Sequence, residues 1–290
     1  MSNHSFHKLI LELTKLRLSL LVVFSAIIGY AIGAAADHSF SLATAAIVAI
    51  GGFLVTGGSN GLNQYLERSL DAKMDRTAGR PLPQQRMSPS SALIVSLIMG
   101  LGGVVMLGLC TNPLTGVLSL VSLLLYVLAY TPLKQRTPFS VFVGAIPGAM
   151  PVLLGWVAAR NSIGVEAYLL YAIQFIWQFP HFWSIAWLLD DDYKKAGFIM
   201  LPTGKRDKSS AFQTMVYTLC LIPMAFVVLQ FNYSWMASLL LFICGVIFSL
   251  PALKLYKQLE MQDARKLMFG SFVYLPVVQL VMLFDKLLMH

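Results

Sequence analysis

Residues 18–28 read LSLLVVFSAII and residues 239–247 read LLLFICGVI. Neither run alternates apolar with polar side chains, as a strand of a membrane barrel must, and neither contains a charge. Each therefore reads as a helix that satisfies its own backbone hydrogen bonds inside lipid. Working outward from these two runs, apolar segments of about 20 residues, the length that crosses a hydrocarbon core, fall at 18–36, 40–66, 91–110, 113–131, 139–159, 167–189, 211–231, 234–253 and 267–284. The expected fold class is all-α, with nine transmembrane helices making one membrane-embedded domain over residues 1–290. A chain that is 57% hydrophobic and only 12% charged leaves no room for a soluble domain of ordinary composition.

An odd number of spans puts the two ends on opposite sides of the bilayer, and the basic residues test that arrangement. With a cytoplasmic N-terminus, nineteen of the 21 Lys and Arg fall on the inner side, leaving Arg160 and Lys286 outside. Topology and contact with anionic headgroups thus account for the net charge of +8, and no nucleic-acid partner is expected. The first helix follows a basic start and ends in Gly33, Ala34, Ala35 and Ala36, which imitates a cleavable signal. Its removal would leave eight spans and upset the charge pattern, so it is expected to be retained, in the inner membrane of a bacterium. Cys110, Cys220 and Cys244 lie within or at the ends of spans with no metal-ligand spacing, so neither a disulfide nor a zinc framework is expected.

The spans hold no Asp, Lys or Arg in their interiors, which argues against an ion-coupled carrier. Polar chemistry is gathered instead in two inner loops. The first carries Asn63, Glu67, Asp71 and Asp75. Steps of four advance a helix by about 400°, so these oxygens stack on one face, about 12 Å from Asn63 to Asp71; Asp75 joins only if the helix continues. Hard oxygen ligands suit Mg²⁺, which takes one or two carboxylates and completes its shell with water and phosphate. Arg76 and Arg80 follow immediately and can fork onto phosphate oxygens. The second loop carries Asp190, Asp191, Asp192, Lys194 and Lys195. Adjacent acids repel unless a cation sits among them, although water and salt could also screen them on an exposed loop. Asp71 and Asp191 are both expected at exposed loop ends. Two such loops on one face, beneath a bundle able to hold a long apolar chain, fit metal-assisted ionisation of a prenyl diphosphate.

Asn63, Glu67, Asp71 and Asp75, followed by Arg76, Thr77, Arg80 and Pro81, resemble the first aspartate-rich motif of the UbiA superfamily of prenyltransferases. Trp177 through Trp183, continuing through Trp187 to Asp191, Asp192, Tyr193, Ala196, Gly197 and Met200 to Pro202, resembles the haem-prenylating branch, as does Gly144 through Pro151 with Gly155 and Trp156. The resemblance implies a nine-helix bundle and the following chemistry: Mg²⁺-dependent ionisation of farnesyl diphosphate, attack by a haem b vinyl group, and capture of the resulting cation by water. It assigns catalysis to Asn63, Glu67, Asp71, Asp191 and Asp192, the metal to these residues with Asp75, and the diphosphate to Arg76, Arg80, Tyr130, Lys134, Lys194 and Lys195. Glu67 departs from the family's usual Asp, keeping the carboxylate with one more methylene. Of five His, His181 alone lies in a span, so it is the expected contact with haem; His4, His7, His38 and His290 belong to tails and outer loops. The implied partners are farnesyl diphosphate, haem b, the lipid bilayer and, for hand-over of product, haem A synthase or a terminal oxidase. An aromatic or quinone-precursor acceptor, and a non-catalytic haem carrier, remain as alternatives.

Overall fold

The computed structural model describes residues 6–35 and 39–289, so the readings placed on His4, Ala36, His38 and His290 lie outside the described residues. These residues form helices joined by turns, with no strand among them. Short α1 (Phe6–Leu13) precedes α2 (Leu16–Ala35) and α3 (Leu42–Asp71), followed by α4 (Pro89–Cys110). α5 (Pro113–Leu124) runs through a π-helical stretch (Leu125–Tyr130) into the single turn α6 (Thr131–Leu133). Next come α7 (Ser140–Arg160), α8 (Val165–Lys195), α9 (Lys208–Leu219), α10 (Leu221–Val227) with a 3₁₀ turn (Val228–Phe231), α11 (Trp235–Gln258) and α12 (Met261–Met289). The starts follow from sequence: Ser88 and Asn112 cap the first turns of α4 and α5, each with Pro next, where its missing N–H costs nothing.

Eight of these segments are long and apolar enough to cross a membrane, with α9 through the 3₁₀ turn counted as one. The ninth span expected from sequence, 167–189, lies in α8, which is 31 residues long yet falls short in apolarity because its interior carries Gln174, Gln178 and His181. Those polar groups are answered within the bundle. Gln178 Nε2 donates to the Ala145 carbonyl, Gln174 Nε2 to the Gly148 carbonyl, Gln279 Nε2 to Gln174 Oε1, and Ser25 Oγ to Gln279 Oε1. α8 is thus a bundle-facing helix, and the chain is a multi-pass membrane protein.

Close helix approach is written into small residues. A Cβ on Gly58 would collide with the Gly100 backbone of α4, and one on Gly155 with the Ala26 carbonyl of α2. In lipid, where apolar surface alone does not drive helices together, such contacts let backbones touch. The α2–α7 contact lies at the centre, with 72% of the most apolar window of α7 buried, against 22% for peripheral α4.

Candidate active site

The site begins on one face of α3. Asn60, Asn63, Gln64, Glu67 and Asp71 recur at helical spacing and all are buried. Two of them grip the turn between α1 and α2: Asn60 Nδ2 donates to the Thr14 carbonyl at 3.2 Å and Gln64 Nε2 to the Leu13 carbonyl at 2.7 Å. This holds Lys15, which has φ 50, in the left-handed region, with its ammonium donating to Asn63 Oδ1 at 3.3 Å. Asn63 Nδ2 donates in turn to Thr131 Oγ1. One turn further along α3, Glu67 pairs with Lys134 of the α6 end, and Asp71 Oδ2 pairs with Arg80 at 2.7 Å. Lys134 also lies against the Tyr130 and Phe198 rings, 5.1 and 5.0 Å from their centroids.

Three cations, Lys15, Arg80 and Lys134, therefore converge on two buried carboxylates. Burial, with the Arg80 and Lys134 charges, brings the Lys15 ammonium down to about 7 in spite of Glu67 and Asp71. Burial likewise lowers Lys134, with Glu67 pulling it back up. The pocket is cation-rich enough that an added anion would be welcomed electrostatically.

The ladder stops where the helix does. α3 ends at Asp71, whose carbonyl accepts from Thr77 Oγ1 at 2.8 Å as the chain turns away. Asp75 leaves the face and pairs with Lys195 at 2.5 Å, its side chain 87% exposed. The second acidic cluster, expected on a loop, instead forms the last turns of α8, where Asp191 is 79% exposed and bound to Arg206 at 2.9 Å. Asp192 accepts the backbone N–H groups of Asp75 and Arg76, at 2.8 and 3.2 Å, tying the turn after α3 to the end of α8. Asp190 is buried and pairs with Lys194 at 2.6 Å. Proton donors and cations of the protein thus answer the repulsion expected among these acids. The six residues expected on the metal are thus not all drawn to one point, and among the described residues no group of three or more His, Cys, Asp or Glu is gathered as a metal site. The expectation that Asp71 occupies an exposed loop end is overturned, since it is buried at the junction of α3 with the loop that bears Arg80.

A narrower set still fits Mg²⁺. Asp71 Oδ1 is buried without a hydrogen-bond partner, an expensive state that an added cation would relieve. Glu67 lies one turn away and Asn63 one turn beyond, all hard oxygen donors. Two carboxylates with phosphate supplying the rest is the arrangement this ion prefers.

Beside these residues a cavity of about 490 Å³ runs between α2, α3, α5, α7, α8 and α12. Tyr126 and Tyr130 of the π-helical stretch lie on its wall, as do Gln174, Gln178 and His181 of α8. Leu18 and Leu21 of α2 and Phe272 of α12 also line it while being exposed on the outer surface, so its mouth opens sideways between α2 and α12.

Residues 22–275 match the UbiA prenyltransferase family. The chain belongs to that family. It is 46% identical over 280 residues to the protoheme IX farnesyltransferase of Christiangramia forsetii, covering 95% of this chain and 92% of that relative. It is 44% identical over 286 residues to the protoheme IX farnesyltransferase of Flavobacterium psychrophilum, covering 96% and 94%. Among solved structures it is similar to a digeranylgeranylglyceryl phosphate synthase, with TM-score 0.81 at 20% identity over 97% of this chain and 98% of that one. It is also similar to a UbiA homolog from Archaeoglobus fulgidus bound to DMAPP and Mg²⁺, with TM-score 0.74 at 14% identity over 97% and 99%. At these identities the structural likeness is one of fold.

In this UbiA-family chain three site residues, Lys15, Thr131 and Arg206, escape sequence reading, and Thr77 is read only as part of the motif, without a role. Lys15 and Arg206 look like ordinary inner-face charges, yet one reaches Asn63 and the other donates to both Asp191 and the Trp187 carbonyl. Thr131 carries no motif of its own, and the hydroxyls of Thr77 and Thr131 meet the Asp71 carbonyl and the Asn63 amide only once the loop and the π-helical stretch have folded. Arg76, expected on phosphate, lies 5.7 Å from the centre of the Tyr193 ring.

Proposed function

We propose that this protein transfers the farnesyl group of farnesyl diphosphate to a vinyl group of haem b, with addition of water, giving haem O. The observation that carries the reading is the unpartnered buried oxygen of Asp71 set among Lys15, Arg80 and Lys134, a site incomplete without a cation and an anion together. The names of the relatives over 95% or more of the chain favour haem over an aromatic acceptor.

When bound, Mg²⁺ offsets the charge that collects on the departing diphosphate. Asn63, Glu67 and Asp71 would hold it, with Mg²⁺ in the DMAPP-bound UbiA homolog as support for the metal class. Lys134, Arg80 and Lys15 would neutralise the leaving diphosphate, with Arg76, Lys194 and Lys195 at the loop edge. As the farnesyl C1–O bond breaks, the allylic cation is left in a cavity walled by Tyr126 and Tyr130, whose ring faces favour positive charge and exclude bulk water. The vinyl group attacks C1, forming the new C–C bond; the cation this leaves beside the macrocycle takes up water and loses a proton, giving the hydroxyl. His181 would contact the haem from the cavity wall, as iron ligand. Asp192 of α8 ties the Asp75–Arg76 turn to the end of that helix, so its role is to hold the two acidic segments together. The reading places the basic face in the cytoplasm, in a bacterial inner membrane, with product passed to haem A synthase or a terminal oxidase. One domain spans residues 1–290.

The test is incubation of purified protein with Mg²⁺, haem b and farnesyl diphosphate, followed by mass analysis of extracted haem. A gain of one farnesyl group plus water is the expected product; unmodified haem, with the farnesyl group transferred instead to an added aromatic acceptor and diphosphate released, would overturn the reading.

A further inference from the structure

His181 Nδ1 lies 2.7 Å from Ser271 Oγ of α12, and that same hydroxyl lies 2.5 Å from the Met268 carbonyl. A carbonyl oxygen has no proton to give, so the hydroxyl hydrogen must occupy the short contact with Met268. Ser271 Oγ then has only lone pairs left for His181, and the proton between them belongs to Nδ1. The imidazole is therefore held with Nδ1 protonated and Nε2 bare. Nε2 has no protein partner among the described residues, and His181 lines the cavity. The ring is held on other sides too. Trp177 stacks on its face, 4.6 Å between centroids and 17° from parallel, and Phe272 meets it edge-on at 5.0 Å. Trp177 is itself anchored by its indole N–H donating to the Ser271 carbonyl at 3.0 Å. One residue of α12 thus fixes the imidazole through its side chain and the ring stacked upon it through its backbone.

We infer that Ser271 is a positioning residue, which presents the bare Nε2 of His181 to the iron of the porphyrin acceptor and thereby sets where the macrocycle sits. The inference rests on the proposed contact between His181 and haem. A ring that donates its other N–H to a fixed acceptor is both oriented and made a better ligand. Ser271 acts only through His181 and touches no reacting atom. Ser271 is fully buried and holds the half-buried His181 and Trp177, which makes the register of α12 against α8 part of acceptor binding.

The test is titration of ferric haem b into the purified full-length protein in detergent, with affinity and the Soret band read for wild type, Ser271→Ala, Ser271→Thr, Ser271→Cys and His181→Ala. Ser271→Ala should bind haem about 10-fold more weakly, the lower end of losses seen when the outer partner of a ligating histidine is removed, with a broadened band from a ring no longer held in one tautomer. Ser271→Thr, which keeps the hydroxyl, should restore both. Ser271→Cys keeps the volume and is a poor acceptor, so it should weaken binding as well, and it serves if Ser271→Ala does not fold. Ser271→Ala or Ser271→Cys titrating like wild type while His181→Ala loses the histidine-type spectrum would overturn the role of Ser271 and leave that of His181 standing. His181→Ala with unchanged affinity and spectrum would overturn the haem contact and this inference with it.

Discussion

Asp71 and Asp75 stand four residues apart and live in opposite surroundings, 1% and 87% exposed. One holds a buried free oxygen, the other a solvated surface pair of the kind that contributes little to stability. Asp71→Asn should lower turnover at least ~100-fold, the scale of losing a preorganised charge at the reacting group, and should also lower the melting temperature, because the Arg80 guanidinium loses its charged partner. Asp75→Asn should stay within a few-fold of wild type; equal losses in the haem mass assay would mean that α3 extends its ladder in the working enzyme. Lys134→Met should cost ~3 kcal/mol in thermal unfolding, because it leaves the Glu67 carboxylate buried without its partner. At this scale sequence spacing was a good guide to Asn63, Glu67 and Asp71, whose four-residue steps need only a helix to bring them together. It overreached at Asp75 because nothing in the spacing marks where Thr77 turns the chain. It passed over Lys15 because a basic residue before a span already has a reason to be there, and only its left-handed backbone turns it inward.

The elements behave less regularly than nine uniform spans. The π-helical stretch Leu125–Tyr130 widens the end of the fourth span, and its register is held by Thr131 Oγ1 donating to the Tyr126 carbonyl at 2.9 Å. π-bulges persist mainly where function needs them; here it lets Tyr126 and Tyr130 both face the cavity while Thr131 meets Asn63. Gly144 of α7 gives the Tyr130 ring its place, since a Cβ there would strike the ring. Gly144→Val should therefore destabilise by ~1–3 kcal/mol, as overpacking does, and reduce turnover by more than the stability loss explains; wild-type turnover in a stably folded variant would remove Tyr130 from the site. Apolar run length located the helices well, yet it could not foresee this π register or the break between α9 and α10, which depend on neighbours. It counted 167–189 as a span like the others, without showing that Gln174 and Gln178 of α8 find carbonyls on α7.

For the molecule as a whole, the basic residues gather around the site at one end, while Glu166, Tyr233 and Lys286 lock together at the other, Lys286 to Glu166 at 3.1 Å and Tyr233 to Glu166 at 2.7 Å. This matches the charge asymmetry read from the sequence. Ser162→Cys, in the α7–α8 turn at the far end, should react with a membrane-impermeant maleimide from outside intact cells, and Lys73→Cys beside the site should not; the reverse pattern would invert the topology.

The sideways mouth between α2 and α12 carries a kinetic consequence. Farnesyl diphosphate and haem b are amphiphiles, and an enzyme that takes its substrates from the bilayer through such a mouth meets them by two-dimensional diffusion and responds to their mole fraction in lipid. Half-saturation expressed per litre would then have no fixed value. Adding inert phospholipid to proteoliposomes at constant total substrate should slow the reaction by surface dilution, as though substrate had been withdrawn.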